Sequence, residues 1–195
     1  MSSFAVPPTT LPNTQAGDGP LRRDLALDLL RCKWRAEEVS HAVPKTEVAG
    51  SRVVRVFEEN VEVLRTIMGE HGWPGYVLVG EKAAQVAWHI AYYCPDAAFQ
   101  NDALCLLEAA VRSRGANPEH YALLADRLCV MRHEPQRFGT QYLSDDAGGI
   151  TLYPVAELRR LDDRRSAWGL EPHAEYDARI RDDITVVGSV GPRRP

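Results

Sequence analysis

Residues 51–74, SRVVRVFEENVEVLRTIMGEHGWP, set Val54, Phe57, Val61, Leu64 and Met68 three and four residues apart and end the same stripe on His71. That spacing belongs to a helix with one buried face. Ser51 is read as its N-cap. Gly72 can adopt the left-handed conformation that closes a helix, and Pro74 keeps the helix from resuming. His71 is therefore expected at the seam between core and loop, with the carbonyl end of the helix favouring its protonated form.

Working outward, the same punctuation recurs. A helix is expected from Leu21 to Val39 with Leu27, Leu30 and Trp34 on one side, then a loop over 41–50 containing Pro44. Trp73 to Gly80 reads as an extended connector. Glu81 to Cys94 reads as a helix stopped by Pro95, and Asp96 caps a further one over 97–114. Asn117-Pro118 pairs a cap with proline at the first helical position and opens a helix to about Arg132. Tyr142-Leu143 and Ile150 to Tyr153 flank a turn-rich stretch and predict a β-hairpin. Helical segments are expected within 155–167 and 174–181, and an edge strand over Ile184 to Val187. The fold expected is all-α, a compact bundle of about six helices with a small β-hairpin near the C-terminal third. Residues 1–20, with Pro7, Pro8, Pro12 and Pro20, are expected to be a disordered leader. Residues 21–182 are expected to form one helical domain and 183–195 a tail.

Composition narrows the function classes. Hydrophobic residues make up 45% and charged residues 26% of the 195, which suits a globular domain with one substantial core. A formal net charge of -4 argues against a nucleic-acid binder. Arg159, Arg160, Arg164 and Arg165 interleave with Glu157, Asp162 and Asp163, the pattern of a solvated helix face. Cys32, Cys94, Cys105 and Cys129 contain no Cys-x-x-Cys pair and are read as buried, reduced thiols of a cytoplasmic protein. No secretory signal or membrane-spanning stretch is apparent.

Several polar residues lie beside apolar stripes. On the third helix, Ala84, Ala87, Trp88 and Ala91 form a packing stripe, while Gln85, His89, Tyr92 and Tyr93 form a polar, aromatic and ionisable one that suits a pocket wall or an interface. Asp126 and Arg127 lie mid-helix among Leu123, Leu124 and Leu128, where a buried charge needs partners. Pro135 to Gln141 packs amides, a hydroxyl and free backbone into one loop, able to bind a polar ligand or to satisfy buried helix ends. The common metal, phosphate-loop, nucleophile-elbow and dinucleotide motifs do not occur, so neither metal nor cofactor is expected.

The chain resembles a bacterial family known as domain of unknown function 6624, over roughly residues 51–176. The matching residues are Asn60, Leu64 and Ile67, then His71-Gly72-Trp73-Pro74, Val79-Gly80-Glu81, Ala87-Trp88, Phe99-Gln100, Asp126-Arg127, Gln136 and Gly139-Thr140-Gln141, with Arg164-Arg165 and Gly169-Leu170 closing the pattern. Where the family tends to carry Gln-His late in the third helix, this chain has Tyr92-Tyr93, and it has Phe138 where the family tends to have Tyr. The resemblance implies a specialised member, of a kind found in secondary-metabolite pathways.

Three functions fit these residues. The first is a cofactor-free enzyme using acid–base chemistry (hydrolysis, elimination or cyclisation) on a small molecule or modified peptide. His71, His89 and Asp126 would do the chemistry, Arg127, Gln136 and Gln141 would hold the substrate, and Trp73, Trp88, Tyr92 and Tyr93 would shape the pocket. The second is a binding or carrier protein for the same ligands. The third is a structural interaction module. His71, His89, Asp126, Arg127 and Gln141 are expected to converge on one pocket. The partners expected are a small-molecule or peptide ligand and a second copy of the chain, with no nucleic acid and no membrane.

Overall fold

The structure, a computed structural model, describes residues 20–42, 47–144 and 149–188. Residues 1–19 of the leader expected over 1–20 and residues 189–195 of the expected tail lie outside the described residues. Those described fall into two compact units, 20–124 and 125–188.

Among its described residues, the regular elements of the first unit are all helices. It contains α1 (Arg23–Ala42), α2 (Glu47–His71), the single turn α3 (Tyr76–Val79), α4 (Glu81–Tyr93), α5 (Ala97–Arg112) and the start of α6 (Pro118–Met131). α1 packs on both α2 and α4. The stripe that predicts α2 points inward at Val61, Leu64 and Met68 and opens to solvent at Val54. Leu29 and Cys32 of α1, Ala87 and Ala91 of α4, and Phe99, Ala103 and Leu107 of α5 complete the core. Buried Asn60 ties α2 to α1: its amide donates to the Cys32 carbonyl at 3.0 Å and its oxygen accepts from Arg35 at 3.1 Å.

The expected stops hold. Gly72 has φ +72° and donates to the Met68 carbonyl, and Asp96 accepts from the Ala98 and Phe99 N–H groups. Two expectations are corrected. Ser51 does not cap α2, which begins at Glu47 because nothing between 47 and 50 forbids the helix. The connector is not wholly extended, since its middle winds into α3. There Tyr76 N–H reaches the Gly115 carbonyl at 2.8 Å, and a Cβ on Gly75 would sit 2.5 Å from that oxygen.

The second unit holds the rest of α6, the hairpin β1 (Tyr142–Ser144) and β2 (Ile150–Leu152), a 3-10 turn at Leu158–Arg160, α7 (Leu161–Ala167) and α8 (His173–Gly188). The antiparallel register pairs Leu143 with Thr151. The Tyr142 hydroxyl donates to Asp177 and the Arg181 guanidinium to the Ile150 carbonyl, so α8 holds both strands. The edge strand expected over 184–187 is instead the end of α8. Its β-branched run follows a helix with no breaker, and continuity overrides local preference. The architecture is all-α with one small two-stranded hairpin, as the sequence predicts. It shows eight α-helices among the described residues, of which the single turn α3 is the one not expected from the sequence.

Candidate functional site

A cavity of about 970 Å³ opens between α1, α2 and α4 in the first unit. Its walls are apolar, with Leu30, Val56, Phe57, Val86 and Ile90 among them, and its polar lining includes Lys33, Gln85, His89 and Tyr93. The last three lie four residues apart, on one face of α4. The opposite stripe, Ala84, Ala87, Trp88 and Ala91, is buried as predicted. α4 can therefore present a polar, aromatic face because its small residues let the other face pack closely.

That face continues into a ring cluster. Trp88 stacks on His120 of α6, with centroids 4.2 Å apart and planes 11° apart, and its indole N–H donates to the His120 carbonyl at 3.1 Å. Tyr92 stacks on the same indole at 5.1 Å, and His89 lies 4.9 Å from it. Tyr93 stands 6.4 Å from His89. Burial pushes the His120 imidazole down to about 4, helped by His89. His89 stands at the cavity's lip, open to solvent on one side; enclosure on the other, and then the Lys33 ammonium, lower its pKa. Both shifts favour the neutral ring.

His71 ends α2 as predicted, but it is not part of the cavity lining. Its Nε2 lies 3.1 Å from an Arg22 guanidinium nitrogen and 3.6 Å from the Glu70 carboxylate. Trp73 is buried in the core of the same unit.

The remaining predicted residues lie in the second unit, where the 136–141 loop is held by side chains on both its donor and its acceptor sides. Asp126, fully buried, accepts from the N–H groups of Arg137, Phe138 and Thr140 at 2.6, 2.9 and 2.9 Å and from the Thr140 hydroxyl at 2.9 Å. Burial pushes the Asp126 carboxyl up against the pull of these bonds, yet its neighbours are all donors, which only the carboxylate can satisfy in full. The three successive carbonyls of Arg137, Phe138 and Gly139 meet Arg164, Arg165 and His173. The Gln136 amide donates to the Gln141 and Tyr153 carbonyls and accepts from the Gln141 N–H. Gly139 has φ +72°, and a Cβ there would come within 2.6 Å of the His173 ring. Asp126 and Gln136 thus serve the loop directly. The Gln141 side chain donates to the Thr140 hydroxyl, and Arg127 is half-buried on α6.

Two readings of residue class are corrected. Arg159 and Arg160 are solvated, but Arg165 is buried: it lies four residues after buried Leu161, donates to the Phe138 and Glu171 carbonyls and covers the Tyr176 ring at 4.8 Å. Cys32 and Cys94 are buried, whereas Cys105 is exposed and Cys129 intermediate. His120 and Lys33 are not legible in the sequence as site residues. A histidine in the first turn of α6 and a lysine amid charged neighbours on α1 carry no local signal of a site.

The geometry defines a class: a helical protein with an apolar cavity edged by donors in one unit, and a side-chain-clamped loop in the other. The chain belongs to the family of unknown function DUF6624, whose model matches residues 32–187, beyond both ends of the stretch that carries the resemblance. No curated protein and no solved structure matches it. No helix among the described residues is long and apolar enough to cross a membrane.

Proposed function

We propose that this protein binds a small, largely apolar molecule or the apolar segment of a modified peptide in the α1–α2–α4 cavity. The observation that carries this reading is a space of about 970 Å³ with apolar walls and a few polar groups gathered along one helix face, the composition of a ligand site. The residues of the 136–141 loop support a structural role for that half of the motif set, since their polar groups serve the loop itself. Titration with Nile red, followed by dye fluorescence, tests the cavity. The native protein is expected to bind the dye, and Val53→Trp, which extends a side chain into the cavity from exposed α2 surface, to weaken binding about tenfold. Unchanged affinity in the variant would overturn the reading.

One observation favours turnover as a second reading. His89 stands at the cavity's lip, where partial burial and the Lys33 ammonium favour its neutral form, so it can accept a proton from a bound molecule. On this reading the protein is a cofactor-free hydrolase, lyase or cyclase of bacterial secondary metabolism, with His89 rather than His71 as the base.

A further inference from the structure

The charged groups around this cavity nearly cancel. Lys33 and Glu37 of α1 and Glu81 and Lys82 of α4 line it, while the α2 residues in its lining, Val53, Val56, Phe57 and Asn60, carry no charge. The two lysines and two glutamates balance, and the neutral form favoured for His89 adds no charge. Lys33 lies 3.7 Å from Glu37 in a pair about half exposed on both sides, a contact weak enough to leave the ammonium free to engage another anion. Lys33 also acts on His89 directly, being one of the two causes that disfavour its protonated form. Tyr93, one turn on, and His120, itself neutral, also face His89, and Glu37, Glu81 and Lys82 share its cavity. Four donors therefore gather at the mouth of an apolar space: the Lys33 ammonium, the Gln85 amide, the His89 ring and the Tyr93 hydroxyl.

On the reading that the cavity is a binding site, we infer that its ligand is an apolar molecule ending in a single carboxylate, seated against Lys33 and His89 with its chain along Val56, Phe57 and Ile90. A carboxylate there offsets the Lys33 field and gives the imidazolium a partner. His89 then takes up a proton as the ligand binds, and the lining gains the one positive charge that a monoanion requires. An alcohol of equal length gains the apolar contacts and neither electrostatic benefit.

Decanoate and 1-decanol distinguish these cases. Calorimetric titrations at about pH 7.5 in two buffers of different ionisation enthalpy count the protons taken up, and NMR titration follows the His89 ring. Decanoate is expected to bind about tenfold tighter than decanol, to take up protons on binding and to raise the His89 pKa by about one unit. Lys33→Met is expected to abolish the preference for decanoate. Equal affinity for the two ligands, or proton uptake that persists in His89→Gln, would overturn the carboxylate inference and leave the cavity reading standing. Failure of the native protein to bind either ligand or Nile red would overturn both.

Discussion

Asp126 shows how much a single residue can specify. Its carboxylate accepts from three loop N–H groups and one hydroxyl in a site with no solvent exposure. Asp126→Asn is nearly isosteric, but it turns an NH2 group toward those donors. Equilibrium urea unfolding is expected to show a loss of about 2–4 kcal/mol, because buried donors are left unpaired and the surviving contacts lose their charge assistance. A loss within experimental scatter would refute the clamp. That Asp126 needs compensation is legible in the sequence, since it sits among leucines. Its partners are not legible, because they come from a loop 11–14 residues away whose backbone path no local pattern encodes. Arg165 is the converse case: a charged run suggests solvent, but the four-residue step from Leu161 turns this arginine inward.

At the scale of elements, the pairing of α4 with α6 through Trp88 and His120 makes stability depend on pH. The folded-state pKa of His120, about 4, lies below the ordinary value of about 6.5 for an unfolded chain. Between these values the unfolded chain binds more protons, so its contribution to stability is fully present above about pH 6.5 and lost as pH falls toward 4. The loss is on the order of 3 kcal/mol. His120→Phe keeps a ring against Trp88 and removes the titration. Chemical denaturation at stepped pH values between those limits is expected to show a flatter decline in the variant than in the native protein, and parallel declines would refute the assignment. Elements bounded by strong breakers, such as Gly72, Pro95 and Asn117-Pro118, are legible at nearly their true limits. Those bounded only by weak preference, the start of α2 and the end of α8, are not, because helix continuation needs only the absence of an obstacle.

For the whole molecule, net charge is the property that reads most directly from sequence. At -4, the chain is expected to show no retention of duplex DNA or single-stranded RNA in a mobility-shift assay near physiological salt, since phosphate contacts require a concentrated positive surface. Salt-sensitive retardation would reverse that exclusion. The division into two units is not legible, because α6 runs through the boundary without any break in its pattern. The clamped loop also bears on the order of folding. Its shape depends on groups from α6, α7 and α8, so it cannot settle until chain segments up to 47 residues apart, Asp126 to His173, have come together. Contacts of such span form late. The amides of Arg137, Phe138 and Thr140 are therefore a built-in clock for the 125–188 unit, acquiring protection from hydrogen exchange only once the rest of that unit is assembled.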